Sequence, residues 1–492
     1  MRRIKFTIAK NALANIIRGG ASAVVALALP HFLTKSLDAD RFAAWSLMLQ
    51  IAAYASYLDF GLQTALARFV AQAVELEQND RRDHLVGTAL WMLSCAGAVA
   101  MLIIGVVVWQ LPNVFHGVPL HLLPEAREAV LILAMAACLS LPLSTFTGVL
   151  VGLHKNEYPA IAIGSSRLAG AVLAIVASHF THSLVILASC IAVTNVASGL
   201  AQMGAAKRLL PNARINLSVA QRAAAQELAR YCLGLTVWSF STFLVSGLDV
   251  SIVGHYKFSA VGYYSIASVL INFIAGLNGA VFGALMTPLA ALHAREEVSQ
   301  VKRIVLFSTR INTYGNLLIY LLSCLFGYQA LKLWVGPAYA VQSLPVLIVL
   351  AAAQAVRLTG YPFSVMLIAT GQQNKGIAQA LAEAIPNFVL SILLARYMGP
   401  VGVAWGTLIG AFCGVIWILL FTMKSTFSVI PIRRWHFLSK GILSPCLAAA
   451  PFALALLFFH WDPAMSSVIP VCLACLLISV FLAGRMGYFR FS

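Results

Sequence analysis

Apolar residues run through this chain in long blocks separated by short polar stretches. A helix that crosses a membrane needs about 20 apolar residues. Fourteen blocks meet that requirement: 11–34, 42–70, 85–109, 128–151, 158–178, 184–206, 228–253, 261–291, 304–327, 343–370, 377–397, 401–423, 441–460 and 465–484. The pattern predicts an all-α polytopic membrane protein with about 14 transmembrane helices. The longest inner connection, Lys207–Glu227, joins the sixth span to the seventh, and Val219–Arg230 within it reads as a short surface helix. The outer connection Gln110–Glu125 holds Pro112, Pro119 and Pro124 and reads as irregular.

Two stretches repeat. Pro362–Gly371 (PFSVMLIATG) ends one apolar run, and Pro142–Gly152 (PLSTFTGVLVG) ends another, with the glycines 219 residues apart. The same offset pairs Ser22 with Ser241, Ser46 with Ser265 and Ala71 with Ala290. Such self-similarity marks the internal duplication common among transporters. It predicts two pseudo-symmetric six-helix lobes around a central cavity, 1-206 and 228-424, joined by a cytoplasmic linker, 207-227. The two C-terminal helices, 425-492, fall outside the repeat. Span twelve carries Gly402, Gly406, Gly410 and Gly414 at a period of four, a face suited to close helix packing.

Composition agrees, with 61% hydrophobic and 10% charged residues. The net charge of +17 would suit nucleic acid, but the basic residues sit in short loops between spans. With the N-terminus inside, 23 of the 33 Lys and Arg residues fall on the inner side and six on the outer. That bias follows the positive-inside rule and puts both termini in the cytoplasm; no nucleic-acid partner is expected. The basic start, Arg2 to Lys10, leads into an apolar run too long for a cleavable signal peptide. All nine cysteines lie in apolar runs, so no disulfide framework is expected. No phosphate loop, HExxH or GxSxG motif occurs, and His179-x-x-His182 lacks a neighbouring carboxylate. The chain therefore reads as a transporter without catalytic residues, metal or cofactor, driven by an ion gradient or by the gradient of its own passenger.

Charged residues nevertheless occur within the spans: Arg18, Asp59, Arg167, Asp249, Arg310, Arg357 and Glu383. Each costs about 2.5–3.5 kcal/mol at the centre of a membrane helix, so they are expected to face water, one another or backbone carbonyls. Arg18 shares a helix face with Asn11 and Asn15, and Asp59 is followed by Gly61, Gln63 and Arg68. The repeat sets Asn278 opposite Asp59; Arg310 precedes Asn312 and Asn316, and Gln354 precedes Arg357 by three. The expected substrate cavity is thus Asn15, Arg18, Asp59, Gln63, Arg68, Asn278, Arg310, Gln354 and Arg357. Guanidinium groups fork onto phosphate oxygens, which points to an anionic passenger such as a pyrophosphate-linked one. Asp59, Asp249 and Glu383 are candidates for coupling to H+ or Na+, Asp59 first among them, with structural salt bridges as the open alternative.

Three stretches resemble a known family: LDFGLQTALARFVAQ in span two, LDVSIVGHYKFSAVGYYSIASVL across spans seven and eight, and YPFSVMLIATGQQNKGIAQALAEAIPNFVLSILLARYMGPVGVAWGTLIG across spans ten to twelve. The chain is similar over roughly residues 10–425 to the polysaccharide transporter family, the O-antigen and exopolysaccharide flippases of the multidrug/oligosaccharidyl-lipid/polysaccharide exporter superfamily. The resemblance implies a V-shaped cleft lined by spans one, two, seven and eight, with alternating access. It implies a polyprenyl-pyrophosphate-linked oligosaccharide as passenger, turned to the outer leaflet of the bacterial cytoplasmic membrane. Arg18 would be the basic residue near the inner mouth. Membrane lipids and a polysaccharide polymerase with other assembly proteins are the implied partners. Many members have twelve spans; fourteen would match lipid-linked peptidoglycan-precursor flippases, the first alternative. A cation-coupled drug antiporter is a second, disfavoured by the arginines. A membrane-embedded glycosyltransferase is a third, disfavoured by the lack of paired carboxylates in a large outer loop.

Overall fold

The computed structural model describes residues 19–485 apart from 21, 212, 215 and 459–467. No strand occurs among the described residues. The main helices are α1 (22–36), α2 (Ala39–Tyr57), α3 (Leu62–Glu75), α4 (Asn79–Trp109), α5 (Leu123–Gly152), α6 (Glu157–Phe180), α7 (Leu184–Leu209), α8 (Arg222–Thr242), α9 (Asp249–Tyr256), α10 (Val261–Gly283), α11 (Met286–Ala294), α12 (Val298–Val335), α13 (Pro337–Thr359), α14 (Tyr361–Ala369), α15 (Asn374–Met398), α16 (Pro400–Trp417), α17 (Ser444–Phe458) and α18 (Val468–Arg485). Eleven stretches among the described residues, from Asn79–Trp109 to Arg434–Leu456, are long and apolar enough to cross a membrane. They occupy the third to thirteenth predicted spans. Helix α1, the pair α2 and α3, and α18 stand at the first, second and fourteenth. Asn11, Asn15 and Arg18 lie outside the described residues.

Element ends differ from the hydropathy reading where a helix continues into polar sequence. Helix α12 runs from Val298 to Val335, beyond the apolar 304–327. Val219–Arg230 is not a separate surface helix: Arg222 opens α8, which continues to Thr242 as the start of the seventh span. The connection Gln110–Glu125 is more ordered than its prolines suggest, with a short helix at Leu111–Val114 and a 3-10 turn at Leu120–Leu122.

Several spans are broken. The second stops at Tyr57 and restarts at Leu62, through Phe60 and Gly61 at φ of 50° and 76°. Only glycine suits that last position, since a Cβ there would lie 2.7 Å from Leu235 Cβ. The eighth breaks between Gly283 and Met286, and the tenth at Gly360, with Pro362 opening α14. Three spans carry π-helical stretches, Phe243–Gly247, Ile418–Thr422 and Phe437–Leu443.

By compactness the chain divides into two units. The first runs to Phe243 and takes in Val253–Gly262; the second holds Leu244–Ile252 and the chain from Tyr263. In the second, Leu289, Val305, Phe363, Met366 and Phe437 form one buried cluster. The glycine face of α16 packs on α15, as its spacing predicts. A Cβ at Gly410 would lie 2.6 Å from that of Asn387, and one at Gly406 would overlap Ser391. The C-terminal helices dock on α12 through Phe452 against Leu321 and Leu325, and through a 2.9 Å bond between the Tyr314 and Ser479 hydroxyls.

The duplication is visible in how helices end. Glu77 and Glu296, 219 residues apart, both take positive φ, 55° and 60°. Each sits in the same backbone closure: Gln78 N–H to Ala73 O in one copy, Glu297 N–H to Leu292 O in the other. The Gly152 and Gly371 turns share this closure too, with Lys155 N–H to Leu150 O at 2.9 Å and Gln372 N–H to Leu367 O at 2.7 Å. Here the left-handed residues are His154 and Gly371, so the structural offset is 217 and not the 219 of the glycine match. The slip of two falls between the loops, where the first copy has the long connection between α4 and α5 and the second has Gly336 alone between α12 and α13. A left-handed non-glycine residue costs about 1–2 kcal/mol. Glu77→Gly and Glu296→Gly are each expected to raise the thermal midpoint of the purified protein, read by unfolding in detergent.

Candidate functional site

The polar residues of the spans gather in two places, one in each unit. In the first, Asp59 lies in the break of the second span. Its Oδ1 accepts the backbone N–H of Gln63 at 3.3 Å. The carboxylate thus serves an orphan donor at the start of α3, where the helix dipole favours negative charge. Asp59 and Gln63 also line a cavity of about 390 Å³ with residues of α2, α5, α6 and α7.

Against an apolar background that includes Leu141, Leu143 and Ile163, the wall presents Ser140, Ser144 and Thr147 from α5, Ser166 and Arg167 from α6, and Asn195, Ser198 and Gln202 from α7. The sequence reading missed these serines, threonines and amides. Their signal was present as helical spacing inside apolar runs, Ser140-Ser144-Thr147 and Asn195-Ser198-Gln202, each on one face. Arg167 is exposed and donates to Ser22 of α1. Arg68 stacks on Tyr231 of α8, 4.9 Å from the ring centroid, and is not among the residues lining this pocket.

In the second unit Arg357 and Glu383 form an ion pair between α13 and α15, and Gln354 Oε1 accepts from Arg357 Nη1 at 3.2 Å. Asp249, 7% exposed, accepts from the Tyr264 hydroxyl at 2.8 Å through Oδ2, while its buried Oδ1 has no partner among the described residues. The Arg357 charge acts on this carboxylate as well. Next to Glu383 along α15, Asn387 donates to Val245 O at 3.1 Å, a carbonyl of the π-helical stretch in span seven. Asn278 donates to Asn312 at 2.6 Å, and Asn312 to Leu358 O at 2.5 Å, in the last turn before the break at Gly360. Arg310 lies over the Phe307 ring at 5.7 Å.

The structure therefore brings Gln354, Arg357 and Glu383 together in one unit, which also holds the Asp249–Tyr264 pair, and Asp59 with Gln63 in the other. Sequence spacing linked Gln354 to Arg357 but gave no sign that Glu383 is their partner. Among the described residues no group of three His, Cys, Asp or Glu side chains is placed to hold a metal ion.

The Arg357–Glu383 pair is largely shielded from solvent, with side-chain exposures of 25% and 13%. Removing one member of such a pair costs about 3–5 kcal/mol, and replacing both by apolar residues costs far less. Arg357→Ala is expected to lower the thermal midpoint sharply, and the double variant Arg357→Met with Glu383→Leu to recover most of it. Equal losses in the two proteins would contradict the pairing.

Comparison with known proteins fits this architecture. Residues 21–176 match the MatE family model. No curated protein sequence matches the chain. The lipid II flippase MurJ, in an inward closed conformation, superposes with a TM-score of 0.69 at 14% identity over 96% of this chain and 98% of its own. A multidrug resistance MATE family transporter of the MOP superfamily, in an inward-facing conformation, gives 0.65 at 15% identity over 83% and 98%. A MOP superfamily transporter from Pyrococcus furiosus, described as having a binding pocket of reverse polarity, gives 0.56 at 15% over 86% and 96%. The chain is a multi-pass membrane protein with a MatE-type region over residues 21–176, and its fold is the one these solved transporters share.

Proposed function

We propose that the protein is a transporter and not an enzyme: a flippase that moves a polyprenyl-pyrophosphate-linked oligosaccharide, an O-antigen or exopolysaccharide repeat unit, from the inner to the outer leaflet of the bacterial cytoplasmic membrane by alternating access. The observation that carries this reading is the cavity of about 390 Å³ lined by hydroxyl, amide and charged groups inside apolar helices. Such groups are costly in lipid and are kept where a polar passenger meets them. The fold shared with a lipid II flippase supports a lipid-linked cargo.

In this reading the lobes are 1-206 and 228-424 with 207-227 between them, and both termini are cytoplasmic. Arg18, Arg68 and Arg310 are the basic groups that meet the pyrophosphate, and Asn15 and Asn278 contribute to the path. Coupling to H+ or Na+ is assigned to Asp249. Of the three candidate carboxylates, Asp59 caps a helix and Glu383 is paired, whereas Asp249 keeps an unpartnered buried oxygen. Membrane lipids, a polysaccharide polymerase and other assembly proteins are the partners.

A second reading, a peptidoglycan lipid-precursor flippase, is favoured by one observation: MurJ matches 96% of this chain, against 83% for the MATE transporter. A drug antiporter is less well supported, because no aromatic side chain is among the residues lining the cavity.

Deletion of the gene separates these readings. Loss of surface polysaccharide with intact growth is expected. Lysis with accumulated peptidoglycan precursor would instead favour the second reading, and an unchanged cell surface with drug sensitivity the third. In proteoliposomes, Asp249→Asn is expected to transport at a rate no longer sensitive to the imposed H+ or Na+ gradient. Retained gradient dependence would remove Asp249 as the coupling group.

A further inference from the structure

We infer that the cavity of the first unit is a subsite for uncharged sugar, one that takes the hydroxyl-bearing part of the passenger and refuses its pyrophosphate. This rests on the flippase reading above and adds to it which part of the cargo this cavity holds.

The argument comes from where the wall spends its protons. A serine or threonine hydroxyl has one hydrogen to donate and two lone pairs to accept with. Ser56 donates to Ala53 O at 2.6 Å, Ser140 to Ala136 O at 2.7 Å, and Ser144 to Leu141 O at 2.7 Å. Ser166 donates to Thr194 O at 2.6 Å, and Thr147 to Gln202 Oε1 at 2.6 Å. These five hydroxyls have committed their protons to the protein, so toward the cavity they offer lone pairs. Asp59 adds carboxylate oxygens. The wall is rich in acceptors.

A pyrophosphate is itself an acceptor and carries negative charge, so such a wall gives it little to bind. Arg167 is the one cationic side chain in the lining, and the Asp59 charge offsets it. A ligand suited to the wall brings its own donors and no net charge. Sugar hydroxyls do both, since each also accepts from the donors that remain. Those are the amides of Gln63 and Asn195, which engage no described residue through their side chains, and the Ser198 hydroxyl, which accepts from Gln202 Nε2 at 3.4 Å and has donated to no described residue. A single inorganic cation would also like acceptors, but about 390 Å³ is far more room than one ion fills; it falls in the usual range for small-molecule sites, about 300–1,000 Å³. The lack of aromatic lining excludes recognition by ring stacking. Hydrogen bonding then selects the sugar, and a hydroxyl missing or inverted should be felt strongly.

Ligand-observed NMR on the full-length protein in nanodiscs tests this, with neutral methyl hexosides, reducing disaccharides and inorganic pyrophosphate as probes. Wild-type protein is expected to transfer saturation to at least one neutral glycoside, and pyrophosphate is expected not to displace it. Ser144→Leu, which fills the cavity, and Asn195→Leu, which removes a donor, should each weaken glycoside binding by about tenfold, the worth of one good hydrogen bond. Both variants are checked for monodisperse elution, and Asn195, being exposed, keeps the test valid if Ser144→Leu fails to fold. Glycoside binding that is absent, unchanged in both variants, or displaced by pyrophosphate overturns the subsite. Complementation of the deletion strain separates this from failure of the parent reading. If deletion abolishes surface polymer but both variants export normally, the subsite is wrong and the flippase reading stands. If deletion leaves the polymer intact, the flippase reading fails whatever the glycosides do.

Discussion

A backbone carbonyl or N–H left unpaired in hydrocarbon costs several kcal/mol, and this requirement governs where the protein puts its polar residues. Its spans are repeatedly interrupted, and four of the interruptions recruit a side chain. Asp59 accepts from Gln63 N–H at the break in the second span. Asn312 donates to Leu358 O before the break in the tenth. Asn387 donates to Val245 O in the π-helical stretch of the seventh. Arg434 donates to Leu420 O, within the π-helical stretch of the twelfth, at 2.9 Å. Irregular backbone at membrane depth is tolerated where protein or water can satisfy it, and these contacts supply the protein's share.

The polar residues of the spans thus divide by task. Some mend helices, some pair with each other, and some line the cavity. Asp59 does the first and the third together. Its carboxylate holds the start of α3 while its flank faces the polar pocket, so a change in what occupies the cavity acts on the same group that secures the break. Arg357 and Glu383 do the second. Two charges that would each be costly alone become tolerable as a pair, with Gln354 accepting a further bond from Arg357. Glu125, in the first turn of α5, plays a comparable part. It accepts the Leu184 N–H at 2.6 Å, at the start of α7, and lies 3.9 Å from Arg41.

Much of this architecture was legible in the chain, because span length is set by the membrane itself. The glycine face of α16 was legible for the same reason, since small residues at a period of four on an apolar helix have few uses besides close approach. The duplication was legible in part. Side-chain identity pointed to an offset of 219, but the backbone keeps that offset at the Glu77 and Glu296 turns and shifts by two at the Gly371 turn, where a loop change left no mark on the matched glycines. The site was harder. A charged residue in an apolar run announces itself, so Asp59, Arg357 and Glu383 were found. A serine does not, because its hydroxyl can bond its own helix and pass unnoticed. The cavity wall is built from such residues. The partner of Arg357 lies 26 positions away on another helix, and no local pattern carries that distance.

The central claim is that water reaches the hydroxyl-lined face within the first unit while the neighbouring apolar faces meet lipid. Thiols react with polar maleimides only where water ionises them. In a cysteine-free background, Asn195→Cys on the cavity face of α7 and Val193→Cys, 67% exposed on the same helix, report the two environments side by side. Labelling of intact membranes by a charged maleimide is predicted to modify Asn195→Cys and leave Val193→Cys untouched. Equal labelling at the two positions, or none at Asn195→Cys, would contradict the account.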